Sequence, residues 1–310
     1  MSIIKVIKET FFYKYIAYRI HKYQVVRNPL NEINRYYNLI FGHDADLKKP
    51  KSLIEKIYWM QMHTDTSLWT LCSDKYRMRD YVKEKGLEKY LPKLYGHWEN
   101  PNDIDFTALP SSFVIKANNG CATVKIVKDK TEIDPNVIKK ELKRWLALPF
   151  GYSGYEPHYL KIKPCIIAEE LLDGSTQPNK SQSLVDYKIW TFDGKPEFIV
   201  CYSNRHNKYY CEIGVYDRNW DAYPEYLRYS SHYIPEHKTM PKPNCLDDMF
   251  HVASLLSNGH PQMRVDLYEV NGRVYFGELT LTSSGGYMNH FTKTFLDKLG
   301  RLTVLPIDKK

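Results

Sequence analysis

The sequence predicts an α+β protein with a helical N-terminal region followed by two α+β lobes. Three observations carry this. Helical periodicity fills most of the first 90 residues, then short β-rich runs appear, and the later runs pair off around Asp193-Gly194 and Asn271-Gly272 turns. Strands and helices do not alternate regularly, so antiparallel hairpins are expected rather than a parallel sheet. At 310 residues the chain can bury a sizeable core. The boundaries read 1–90 for the helical region, 91–172 for the first lobe and 173–310 for the second.

The first 25 residues read as a helix. Ile4, Ile7, Phe11, Tyr15 and Tyr18 recur at three-to-four spacing, with Lys5, Lys8, Lys14, Arg19 and Lys22 interspersed. Such a helix either lies on an anionic membrane surface or packs on the body with a solvated basic edge. Packing is the favoured reading, because apolar faces of this size usually belong to a core. Helical patterns continue over residues 30–62 and 74–90, the latter with Ser73 or Asp74 as N-cap and Gly86 near its end.

The texture then changes. Phe113–Ala117 and Val124–Val127 are β-rich runs joined through Asn118-Asn119-Gly120. Residues 134–148 return to helical periodicity, with Ile138, Leu142, Trp145 and Leu146 on one side. Ile166-Ile167-Ala168 is an apolar strand ending in the acids Glu169 and Glu170. The polar stretch 173–183 suits a lobe boundary. Two hairpins follow, Tyr187–Phe192 with Pro196–Tyr202 and Arg264–Val270 with Val274–Leu281, and a helix over about 245–257 separates them. There is no internal repeat.

Charge and cysteines narrow the function classes. Residues 1–100 carry 18 Lys and Arg against 11 Asp and Glu, so nearly all of the net +8 sits in the first third. That face would suit an anionic substrate or membrane surface. No nucleic-acid partner is expected, since neither zinc-finger spacing nor a glycine-aromatic RNA motif is present. The 26 tyrosines offer rings with a polar handle for sugar or nucleotide surfaces, although codon bias accounts for them equally well. The six scattered cysteines read as free thiols in a reducing compartment. No apolar run is long enough to span a bilayer and no signal-peptide pattern is present, so a cytoplasmic protein is expected, with the membrane's inner face as the alternative should the first helix dock there.

The C-terminal hairpin holds the strongest chemical signal. Asp266 and Glu278 are carboxylates inside apolar strands, costly there unless paired or metal-bound, and Arg264 stands beside them. Two carboxylates on Mg²⁺ with an arginine on the phosphoryl oxygens is what phosphoryl transfer requires. Solvent-facing acids on an edge hairpin are an equally weighted reading of these residues taken alone. With a strict two-residue turn, Asp266 would face Gly277 and Glu278 would project from the opposite side. The metal reading therefore expects an extra residue in the turn, Asn-Gly-Arg, with Gly272 or Arg273 left-handed. Lys116 and Lys188 also stand inside apolar strands, where most such lysines face solvent.

Five pieces in order resemble the ATP-grasp superfamily and, within it, the TupA-like branch associated with teichuronopeptide and surface-polysaccharide synthesis. They are Asp74-Lys75-Tyr76 with Arg79-Asp80-Tyr81, then Phe113 through Asn118, then Ile167 through Leu171, then Asp186-Tyr187-Lys188 with Phe192 through Pro196, and finally Arg264 through Leu267 with Gly277 through Thr280. The resemblance implies an ATP-grasp-like fold, with a nucleotide cleft enclosed by two α+β lobes. It implies that Lys116 contacts the α/β-phosphates, with Asn118 beginning the loop beyond it. Glu169, Glu170 and Leu171 would receive adenine and ribose, and Lys188 would lie on the phosphate side. Asp266 and Glu278 would hold Mg²⁺, with Thr280 where most such ligases place an asparagine, and Arg264 would steady the moving phosphoryl group. The loop after Lys116 departs from the family in lacking glycines.

The function implied is an ATP-dependent carboxylate–amine ligase acting on an anionic polysaccharide or sugar precursor. The runner-up is a glycosyltransferase holding a nucleotide sugar in the same cleft, and a non-catalytic scaffold is a third reading. Asp266→Asn and Glu278→Gln are each expected to abolish turnover and leave the fold intact.

Overall fold

The computed structural model describes residues 11–147, 150–152, 154–177, 181–206, 209–236 and 240–306. Ile4, Ile7 and residues 178–180 of the polar stretch lie outside them. Helices α1 (Phe11–Arg27), α2 (Pro29–Phe41), α3 (Leu53–His63), α4 (Ser67–Ser73) and α5 (Met78–Glu84) precede strands β1 (Leu94–Trp98), β2 (Phe113–Ala117) and β3 (Val124–Val127). Then come α6 (Pro135–Ala147), β4 (Ile166–Glu169), β5 (Asp186–Phe192), β6 (Lys195–His206), β7 (Tyr210–Asp217) and β8 (Tyr233–Pro235). Helix α7 (Leu246–Ser257), strands β9 (Met263–Val270) and β10 (Arg273–Thr280), and α8 (Lys293–Leu302) complete the order.

These elements form two compact units. One comprises Met1–Asp44, Asp74–Tyr76 and Lys93–Leu171, the other Ala45–Ser73, Arg77–Pro92 and Leu172–Lys310. The helical first 90 residues are therefore shared between both units and are not a body of their own. The later division falls after Leu171, one residue from the boundary the polar stretch suggested.

In the first unit four antiparallel strands run in the order β1-β4-β2-β3. Phe113, Ile115, Ala117, Ile166 and Ala168 point to one face and form a core with Ile138 and Leu142 of α6. Alternation sends Lys116 and Glu169 to the other face. Asn118 is fully buried, and its side chain is committed to structure. Its Nδ2 donates to Asp74 Oδ1 (2.8 Å) and to the Lys163 carbonyl (3.0 Å), while Oδ1 accepts from the Cys165 N–H (2.7 Å). Asp74, expected as a helix cap, serves that network instead, and it also accepts from the Tyr76 N–H. Helix α5 starts later, at Met78, with no side-chain cap.

The second unit is built on a six-stranded sheet, β10-β9-β5-β6-β7-β8, antiparallel except for β7 with β8. Both expected hairpins are present. Asp193 and Gly194, and again Asn271 and Gly272, all have positive φ, which gives two-residue turns matching the strand twist. The sheet joins the hairpins side by side through β5 and β9. Strands β7 and β8 have no counterpart in the sequence reading. Helix α3 opens with a capping box, Ser52 and Glu55 each bonding the other's backbone. Helix α8 crosses that start so closely that a Cβ on Gly300 would lie 2.0 Å from the Lys51 carbonyl oxygen. Gly300→Ala is therefore expected to lower stability by about 1–3 kcal/mol, because a backbone atom cannot swing aside. Chemical denaturation would read the change, and an unshifted midpoint would contradict this packing.

Candidate active site

Register places the second unit's chemistry. The turn at Asn271-Gly272 has only two residues, and Val270 pairs directly with Arg273, so the extra residue expected in the turn is not there. The ladder instead shifts between Phe276 and Glu278, and Gly277 is the surplus residue of a β-bulge. A side chain at 277 would meet the Tyr268 ring at 2.8 Å and the Asp266 carbonyl at 3.0 Å, so glycine is required there. Beyond the bulge Asp266 lies opposite Glu278, and Arg264 opposite Thr280. Across the other edge of β9, Lys188 lies opposite Asp266. Three charged residues from three strands thus stand in one row.

Contacts extend the row into a string of alternating charges. Arg264 donates through Nε to Asp266 Oδ1 (2.7 Å) and through Nη2 to Oδ2 (2.8 Å). The same Nη2 reaches Glu278 Oε1 and Thr280 Oγ1, both at 2.9 Å, and Nη1 reaches Ser283 Oγ at 3.1 Å. Lys188 donates to Asp266 Oδ2 and stands 4.0 Å from Asp186, which also accepts from Arg205. The order is Glu278, Arg264, Asp266, Lys188, Asp186, Arg205, three acids and three bases.

Burial makes these charges interdependent. Asp266 is 1% exposed, whereas the Glu278 side chain keeps 35% of its surface open. Burial opposes the charge on Arg264, but Asp266 and then Glu278 outweigh it and raise the guanidinium's pKa. The negative charge of Asp186, then burial, pushes the Tyr268 hydroxyl far above its ordinary range. Burial, with Arg264 adding to it, depresses His290 to about 3. Its Nε2 meets the Tyr202 hydroxyl at 3.1 Å.

The donor set fits one mode of Mg²⁺ binding. Among the described residues no group of three or more His, Cys, Asp or Glu could enclose a metal. Two carboxylates and the Thr280 hydroxyl are hard oxygen donors, and Mg²⁺ is commonly held by one or two carboxylates together with substrate phosphates. Both Asp266 oxygens already accept from cations, so Glu278 is the carboxylate a metal reaches first.

In the first unit Lys116 forms an ion pair with Glu169 at 2.5 Å, and Glu169 is almost wholly buried. Glu170 bonds back to Lys93, its N–H donating to that carbonyl and its Oε2 accepting from that N–H. Leu171 is half-buried and is the last residue of the unit. Lys116, Asn118, Glu169, Glu170 and Leu171 therefore belong to one unit, and Lys188, Arg264, Asp266, Glu278 and Thr280 to the other. The sequence reading passed over Arg205, Tyr268 and Ser283 entirely. Asp186 carried a signal, since it stands two residues from Lys188 and so shares its face.

Comparison with known proteins agrees with the family and fold that the sequence resembles. The TupA-like ATP-grasp family matches residues 55–304, and the chain belongs to that family. No curated protein matches it. Among solved structures it is similar to a D-alanine–D-alanine ligase from Bacillus anthracis, at 18% identity over 75% of this chain and 66% of that one (TM-score 0.42). It is also similar to an L-amino acid ligase from Bacillus licheniformis, at 14% identity over 83% and 56% (TM-score 0.43). The D-alanine–D-alanine ligase of Helicobacter pylori gives 15% identity over 76% and 59% (TM-score 0.41). The chain spans less than two thirds of the length of each.

Asp266→Asn would leave Arg264 and Lys188 without their shared counter-ion. The expectation that this variant folds normally is thereby revised, and a loss of about 3–5 kcal/mol follows from breaking a buried pair. An unaltered denaturation midpoint would refute the buried hub. His290 adds a pH dependence. Its folded pKa lies below the ordinary 6.5, so between about 3 and 6.5 the unfolded chain binds the extra proton and stability falls as pH drops. Denaturation at several pH values should show His290→Gln with a slope shallower by about 1.4 kcal/mol per pH unit in that window. An unchanged slope would mean the ring is protonated in the folded state.

Proposed function

We propose that the chain is an ATP-dependent carboxylate–amine ligase acting on an anionic precursor of a surface polysaccharide, with Asp266, Glu278 and Thr280 as the ligands of Mg²⁺. The reading is supported above all by the row of Lys188, Asp266 and Glu278 beside Arg264, which lies within the segment matched by the family. A basic first third suits an anionic acceptor.

In this reading the γ-phosphoryl group moves to a substrate carboxylate, and the acyl phosphate is then attacked by an amine. The new C–N bond replaces the C–O bond to phosphate, and the amine gives up a proton. Mg²⁺, when bound, neutralises charge on the phosphate oxygens. Arg264 and Lys188 are held in place beforehand by Asp266, so their charges need no reorganisation as the phosphoryl group moves. Lys116, fixed by Glu169, supplies positive charge to the phosphates that do not react, while Glu170 and Leu171 border adenine and ribose. Asn118 contributes by fixing the loop after Lys116.

Glu278→Gln is the cleaner test than Asp266→Asn, because Glu278 is partly open and Asp266 keeps its two cations. ADP release would be followed with ATP, Mg²⁺ and a panel of carboxylate and amine acceptors, alongside UDP-, GDP- and CMP-sugars. A fall of about a hundredfold or more in kcat is expected, with Tm little changed. Lys116→Ala should chiefly raise KM for ATP. Cleavage of a nucleotide sugar with no ATP turnover would overturn the ligase reading in favour of a glycosyltransferase. Full activity of Glu278→Gln would remove the metal assignment.

A further inference from the structure

Helix α1 is held to its unit by one face. The Tyr18 ring meets Tyr152 edge-on at 5.3 Å, Lys22 Nζ stands 5.5 Å over the same ring, and His21 lies 3.3 Å from Glu32. Val25 is buried. Tyr18, His21 and Val25 follow one another at three-to-four spacing, so they share one stripe of the helix. Ile16, Ile20, Tyr23 and Val26 follow the same spacing on the far side and are 42%, 56%, 64% and 67% exposed. They account for four of the fifteen exposed large hydrophobic residues among those described, a concentration on one helix that scattered surface residues do not show.

The charge around this face has one sign. Between Phe11 and His43 the only acid is Glu32, which is buried and paired with Arg35. Arg19, Lys22 and Arg27 are exposed. A helix apolar on both sides, docked by one and ringed with bases on the other, has the composition of an interfacial helix.

We propose that the Ile16–Ile20–Tyr23–Val26 face of α1 docks on an anionic lipid bilayer, with the helix lying in the plane of the surface. The apolar side chains need an apolar phase, which a polysaccharide does not offer. A second copy would bring its own Arg19, Lys22 and Arg27 against the first, so like charges oppose self-association. The proposal is independent of the nucleotide chemistry.

The test is co-sedimentation of the full chain with phosphatidylcholine vesicles, with and without phosphatidylglycerol. The full chain should pellet with the anionic vesicles only, and less at high salt. Arg19→Gln with Arg27→Gln should weaken binding about thirtyfold, at about 1 kcal/mol per basic residue near an anionic surface. Ile20→Ser with Val26→Ser should weaken it comparably, and neither pair should alter Tm or turnover of soluble substrates, since these side chains face solvent. Failure to pellet with phosphatidylglycerol, or pelleting unaffected by either pair, would overturn the proposal. So would a dimer in light scattering that Ile20→Ser with Val26→Ser dissolves, or retention by a soluble anionic glycan without vesicle binding.

Discussion

The buried carboxylate of Asp266 is the constraint on which the second unit's chemistry depends. An ionised group at 1% exposure is tolerable only with excellent partners. Here both oxygens are taken, by the fork of Arg264 and by Lys188. Each cation is in turn shared with a further acid, Glu278 on one side and Asp186 on the other. Removing Asp266 would strip both cations of the acid they share, whereas Glu278 stands partly open at the end of the string. The string is therefore held together by its own electrostatics, before any ligand is considered.

That string exists because of one glycine. Without the bulge at Gly277, alternation would put Glu278 on the face opposite Asp266, and Arg264 would lose its second acid. The bulge is possible because nothing but hydrogen stands at 277, where the Tyr268 ring and the Asp266 carbonyl crowd in. Tyr268 in turn shares a face with Asp266 and Arg264, and Asp186 acts on its hydroxyl. Backbone irregularity, ring packing and charge pairing thus depend on a single position.

Local features were legible in the sequence and long-range ones were not. Asn-Gly and Asp-Gly turns announced both hairpins, because both turn residues must take positive φ. The site residues at 264, 266 and 278 stood out as charges among apolar neighbours. The position of the extra residue was misread, although an isolated glycine inside a strand is itself a bulge signal. Strand β7 was hidden because Gly214 breaks its pattern. A Cβ there would lie 2.5 Å from the Glu236 carboxylate, so that side chain, 22 residues downstream, would have to shift. Pairing of Lys188 with Asp266 spans 78 residues, and Arg205 joins only through β6. Asn118 looked like a phosphate-side residue because it follows Lys116, but its amide is saturated by Asp74, Lys163 and Cys165.

The two strand lysines show why a charge in an apolar run is an ambiguous signal. Each has the same sequence context and each is held by a buried acid, Lys116 by Glu169 and Lys188 by Asp266. Their surroundings differ. Lys188 sits within an alternating string, where Asp266 also accepts from Arg264 and Asp186 stands 4.0 Å from the ammonium. Lys116 meets Glu169 on the face opposite the apolar core, where that carboxylate is only 5% exposed. A lysine among apolar neighbours thus marks a buried ion pair in both strands, while the number of further charges that each pair joins is set by strands distant in the sequence.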